Sequence, residues 1–280
     1  MPAMWRSIAP APNAPKVRHI NRNAKNFVGI ILSLLLSAAS YASGTFVHIP
    51  GGEFRSILKY EDSKGPQKIQ LFDMMKTPVS NQEFLAFVKS NPQWQSQNIV
   101  PVFAEKGRYL SHWQSPLILG NKALPNQPVV HVSWFAASAY CKSHNARLPT
   151  WLEWEYAAAA DSTRRDARKD PAWLESILSW YAKPATMPLS VVAQSPANIY
   201  GVQDMHGLIW EWTEDYSAML VSGDNRTQSD PDKAKFCGAG ALSMEDRENY
   251  AVMMRVAMLS SLEAVNSTSN LGFRCARDSH

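Results

Sequence analysis

The chain has 280 residues, 45% hydrophobic and 19% charged. That is enough apolar material for a globular core and too little charge for a disordered chain. The net charge of +4 belongs to the first 42 residues, which carry Arg6, Lys16, Arg18, Arg22 and Lys25 and no acid; the rest holds 23 basic against 24 acidic side chains, which excludes a phosphate-backbone partner. No uninterrupted apolar run reaches roughly 18 residues, which excludes a polytopic membrane protein.

Basic residues Arg18 to Lys25 lead into the apolar run Phe27–Leu36 and then into the small residues Ser37–Ala42. That is the pattern of a cleaved export signal, with Ser40-Tyr41-Ala42 as the preferred cut. Residues 1–42 are read as the signal peptide and 43–280 as one mature domain working outside the cytoplasm, in a periplasm, with no membrane attachment after cleavage. The alternative is an uncleaved anchor. In an oxidising compartment two of the three cysteines, Cys141, Cys237 and Cys275, are expected to pair. Three pairings are open, and no CxxC is present for a thioredoxin motif or zinc ribbon.

Along the mature chain, Phe46–Phe54 reads as a short strand broken by Pro50-Gly51-Gly52, and Ile69–Met75 as a second strand. Ser80 and Glu83 form a capping box for a helix carrying Phe84, Leu85, Phe87 and Val88. Residues 91–127 are polar and aromatic without a period. Val129–Val132 reads as a strand entering Ser133, the N-cap of a helix from Trp134 to about Asn145. Thr150 and Glu153 cap a helix to about Ala160, Asp161–Lys169 is a solvated charge run, and Asp170-Pro171 starts a further helix. Beyond Pro184 helical period fades, loops lengthen and Trp is frequent. The motifs of phosphoryl, hydride, serine-hydrolase and HExxH zinc chemistry are absent. The pattern is one irregular α+β domain.

Three groups of residues bear chemistry. In Asn198–Trp212, Asp204 and Glu211 flank a glycine turn, and the carbonyls of Gly207 and Ile209 lie between them. Hard oxygens of that kind suit Ca²⁺; the plain alternative is that Trp210 and Trp212 alternate into a core while Glu211 faces water. Cys237 sits beside a glycine-rich turn with Met244 following, soft ligands that favour Cu(I); the alternative is a buried thiol and a methionine core. The seven histidines show no i, i+4 spacing, so an iron site needs distant segments. His206 lies inside the Asp204–Glu211 turn, and His131 is read as a core histidine in a strand.

Taken together, several segments resemble the formylglycine-generating enzyme, or sulfatase-modifying factor, family. They are Ile49–Phe54, Thr77–Phe84, Pro128–Trp134, Ala139-Tyr140-Cys141, Arg147–Ala157, Tyr200–Trp212 and Ser269–Ala276, in family order over essentially the whole mature chain. The resemblance implies a C-type-lectin-like fold, α+β, irregular with long loops. It implies structural calcium on Asp204, Gly207, Ile209 and Glu211, and a Cys141–Cys275 disulfide; the family's second calcium loop is replaced by the short Ser190–Pro196 link. One departure stands out. Copper-using members hold Cu(I) between two cysteines shortly after a Gly-Gly-Ser turn, whereas here the turn reads Gly238–Leu242 and Ser243–Val256 contains no cysteine. Ordinary O₂-dependent oxidation of a sulfatase cysteine is therefore not expected. The Phe236–Leu242 variant and the Val221–Asp224 loop resemble a periplasmic branch associated with copper enzymes such as nitrite reductase, which implies a maturation factor for an exported client. The competing expectations are a rebuilt copper or iron oxidoreductase site using Cys237, His206 and Met244, and a lectin-like binding module.

Overall fold

Residues 46–49 and 72–75 alternate or run apolar and find each other across a hairpin-like excursion. A computed structural model of the chain describes residues 45–56, 65–182, 188–217 and 250–279. Strand β1 (Phe46–Ile49) pairs antiparallel with β4 (Phe72–Met75), and β4 pairs antiparallel with β7 (Ala276–Asp278), giving the order β1-β4-β7. The two ends of the domain thus meet on one central strand. The short strands β2 (Gly52–Phe54) and β3 (Gln67–Ile69) form a separate antiparallel pair. The strand expected over Ile69–Met75 is split, because residues 67–69 serve one sheet and 72–75 the other.

Helix α1 (Asn81–Ser90) starts at Ser80, whose hydroxyl accepts from the Glu83 amide while the Glu83 carboxylate accepts from the Ser80 amide. A short 3₁₀ turn, Pro92–Trp94, follows. Helix α2 (Trp134–Ser143) is capped by Ser133 and ends two residues earlier than expected. Asn145 turns left-handed there (φ 53°), and the Ala146 amide donates back to the Cys141 carbonyl. This is the usual device for stopping a helix. Helix α3 (Trp151–Ala158) carries the second capping box, Thr150 with Glu153. Asp170 caps α4 (Pro171–Tyr181) through the amides of Ala172 and Trp173. Strand β5 (Trp210–Glu211) runs parallel to β6 (Leu271–Gly272), and α5 (Tyr250–Ser260) lies between them in sequence.

Val129–Val132 is not a strand. Its amides make single bonds, Val129 to the Val79 carbonyl and His131 to the Thr268 carbonyl, rather than a ladder, and His131 takes a left-handed φ of 54°. The charge run is only partly solvated: Arg168 lies over the Phe54 ring, 4.3 Å from its centroid, and reaches buried Glu155. The main core gathers Phe84, Tyr140, Trp151, Trp212, Phe273 and the Cys141–Cys275 pair; a smaller core gathers Ile49, Phe72, Met74, Trp154 and Tyr156. All described residues belong to the compact unit spanning 40–280. No helix among the described residues is long and apolar enough to cross a membrane. The segment 1–42 read as a signal peptide, Cys237, Met244 and the Val221–Asp224 loop lie outside the described residues.

Candidate functional site

The Asn198–Trp212 segment is held by its own polar side chains. The Asn198 carboxamide oxygen accepts from the amides of Tyr200 and Val202, and its nitrogen donates to the Ala157 carbonyl. Asp204 is left-handed (φ 58°). One of its carboxylate oxygens accepts from the Ala193 amide and the other from the Ser195 amide, while its own amide donates to the Ser195 hydroxyl. The loop is thereby tied to the 193–195 link. Gly207 turns the chain at φ 94° under the Trp180 ring, and the segment then enters β5.

At the start of β5 the pleat puts Glu211 inside. It is 0% exposed, which removes the alternative that it faces water; Trp212 is buried with it and Trp210 is half-buried. Its carboxylate accepts two bonds from Arg274, 2.8 and 2.9 Å, and one from the Trp154 indole at 2.9 Å. Arg274, also 0% exposed, uses its remaining donors on the carbonyls of Met75, Lys76 and Gln203, so all five N–H groups are engaged. A second guanidinium, Arg255 of α5, donates to the Glu211 carbonyl and lies 3.4 Å from the centroid of Trp154. Its Nε has no partner, and burial pulls its pKa down to about 10. Two arginines and one carboxylate therefore share a buried centre wrapped in Trp151 and Trp154.

His206 sits beside this centre with its ring edge-on to Trp154 and Trp173. Its Nε2 donates to the Ala158 carbonyl, which leaves Nδ1 as a buried lone pair without a partner. Burial holds its pKa down to about 4. From α4, Trp180 and Tyr181 pack on Trp210, with ring centroids 5.7 and 5.3 Å away.

The residues expected to hold calcium are thus on one loop, yet as held they do not fit a calcium ion. Both Asp204 oxygens already accept amide protons, and Glu211 is already neutralised by a buried guanidinium. A divalent ion at Glu211 would face Arg274 and Arg255 in a medium where like charges repel strongly. Among the described residues no group of three or more His, Cys, Asp or Glu is gathered around a metal position. The copper clasp fails a separate test. Cys141 and Cys275 are bonded to each other (S–S 2.05 Å). Of three cysteines in the chain, only Cys237 keeps a thiol, and one thiol does not make a dithiolate. What the centre does well is position: it ties α3, α5 and the segment between β6 and β7 to the one residue Glu211 of β5. Sequence reasoning missed Arg255 and the role of Arg274. The available signal was a lone charge in the apolar run Val252–Leu259, since such a charge needs a buried partner.

A family model described as sulfatase-modifying factor enzyme 1-like domain matches residues 35–279. The chain is similar to the formylglycine-generating enzyme of Streptomyces coelicolor, 30% identical over 83% of this chain and 88% of that protein. It is 28% identical to the Mus musculus protein named inactive C-alpha-formylglycine-generating enzyme 2, over 88% of this chain and 92% of the other. It is 31% identical to the hercynine oxygenase of Mycolicibacterium smegmatis, over 61% of this chain and 45% of that one.

Proposed function

Since the chain belongs to the sulfatase-modifying factor family, we propose that it is an exported maturation or modification factor that recognises a client protein without the family's dithiolate copper chemistry. The observation that carries this reading is the Cys141–Cys275 bond, which leaves Cys237 as the chain's one remaining thiol. A persistent disulfide also supports an oxidising compartment, in keeping with a periplasmic location after removal of residues 1–42. The relative whose name calls it inactive supports a role for this fold apart from turnover. The client is proposed to be an exported copper enzyme of the nitrite-reductase kind. Calcium is left out of the proposal because both candidate carboxylates are already engaged.

The full chain, expressed with its leader, tests the proposal in two arms. Incubation with a sulfatase-type cysteine peptide, Cu(I) and O₂ is expected to yield no aldehyde, and affinity capture from periplasm is expected to recover an exported metalloenzyme. Aldehyde formation, or capture of no exported protein under any growth condition, overturns it. A second reading, an oxidoreductase site rebuilt around Cys237, draws on the relative named an oxygenase. It requires copper or iron to co-purify with the wild-type chain and to be lost in Cys237→Ser.

A further inference from the structure

A cavity of about 490 Å³ lies away from the Glu211 centre, between α1 and the C-terminal end of α2. That volume falls in the range, roughly 300–1,000 Å³, of small-ligand sites. We infer that this cavity is a binding site for a small organic cation carrying a primary ammonium or a guanidinium.

The formal charge of its wall decides the sign. Glu83 contributes a carboxylate whose Oε2 is taken by the Ser80 amide and hydroxyl, at 2.7 and 2.6 Å. Its Oε1 accepts nothing from the described residues. His144 places Nδ1 3.0 Å from both the Tyr140 carbonyl and the Ser143 hydroxyl, and that hydroxyl donates its own proton to the same carbonyl at 2.7 Å, so the proton on His144 sits on Nδ1. Nε2 is then a lone pair. Asn91 donates its amide nitrogen to the Phe87 carbonyl, which leaves its oxygen as a further acceptor. Tyr140 also lines the cavity; it is 1% exposed, and its hydroxyl is buried with no partner. A buried hydroxyl without a partner is destabilising unless something completes it. No lysine or arginine lines the cavity among the described residues. The one formal charge in the wall is negative, the other polar lining residues, Thr77, Gln82, Ser90 and Asn126 among them, are neutral, and Phe87 and Tyr140 also line the cavity. Such a wall selects a compact cation.

The shared chemistry has two sources, a free amine and a basic side chain of a protein, and the test separates them. The full chain is titrated by calorimetry with agmatine and cadaverine in one arm and N-acetyl-lysine amide and N-acetyl-arginine amide in the other. N-acetyl-norleucine amide is the neutral control. Saturable binding at about 0.1–1 mM by one arm, with none by the control, is expected. Glu83→Gln keeps the capping box, because Gln serves at that position as Glu does. It should weaken binding about tenfold without moving the melting temperature. Tyr140→Phe keeps the ring packing and should weaken binding as well. Cross-peaks of His144 in the wild-type protein should shift on titration, a reading that needs no variant. Binding equal in the neutral control, binding unchanged by Glu83→Gln, or no saturable binding up to solubility would each overturn the assignment. None of these results bears on Cys237 or on the client.

Discussion

Glu211 is the residue on which the candidate site turns. Two buried guanidinia face its one side chain and backbone carbonyl, so the centre carries a net positive charge in a place that solvent does not reach. Removing one member of a buried ion pair costs about 3–5 kcal/mol because the survivor is left uncompensated. Glu211→Gln is therefore expected to lower the unfolding free energy by about that amount in urea titrations; a loss below about 1 kcal/mol would mean that Arg274 is held by its carbonyls alone. Because arginine already neutralises Glu211, a chelator should leave the melting temperature of the purified chain unchanged. A fall of about 10 °C in EDTA, reversed by Ca²⁺, would show that an ion belongs on this loop after all. The histidines add a pH dependence. His206 is held at about 4 and His112 at about 3, both first by burial. Unfolded histidine takes its proton near 6.5. Their contribution is thus whole above that pH and is lost as pH falls, down to about 4 for His206 and about 3 for His112. Glu214 and Asp215, raised by burial, act in the opposite sense at lower pH. Between pH 7 and 4.5 each histidine should remove up to about 2 kcal/mol. Replacing His206 by Gln should blunt that fall; an identical fall in the variant would count against the assignment.

At the scale of elements, the helices announce themselves and the strands do not. Four helix starts carry a side-chain cap at Ser80, Ser133, Thr150 and Asp170, each followed by apolar residues at helical spacing. A cap is satisfied within three residues, so it is legible from the neighbouring letters. The strands are two to four residues long, and their partners lie far along the chain: β4 pairs with residues 276–278 and β5 with residues 271–272. Val129–Val132 has the composition of a strand but finds no edge to join, and it is used as a buried strut instead. Gly272 shows how closely these pieces approach. A Cβ there would stand 2.3 Å from the Val129 carbonyl oxygen and 2.8 Å from Ile209 Cδ1. Gly272→Ala must push β6 off that strut, and we expect a loss of about 1–3 kcal/mol in stability, read from the denaturant midpoint. A variant as stable as the wild type would show that the strut gives way freely.

The whole molecule is closed by two long-range ties. The sheet order β1-β4-β7 brings the start and end of the domain to one strand, and the Cys141–Cys275 bond joins residues 134 positions apart. In the chain-entropy account a loop of that length contributes about 4–5 kcal/mol, and part of it is lost to relaxation. The double variant Cys141→Ser with Cys275→Ser should therefore melt about 10 °C lower than the wild type. A melting point within about 2 °C would assign the closure to the sheet and the core rather than to the bond. The same bond decides the chemistry open to the protein, since it removes two of three thiols from any metal site.

Some properties of this protein follow from local order alone. The capped helices depend on neighbours within a few residues. The family depends on a set of motifs in a fixed sequence. The missing cysteine pair in Ser243–Val256 is an absence visible in the letters. The burial of Glu211 is different. Its two-residue strand reads equally well with either face inward, and nothing nearby shows that Arg274, 63 positions on, will fill the inner side. The orphaned Tyr140 hydroxyl and the Glu83-lined cavity likewise arise only when α1 and α2 come together. Buried charge has to be balanced by whatever the fold brings to it, so the partner is chosen by tertiary packing and not by spacing along the chain.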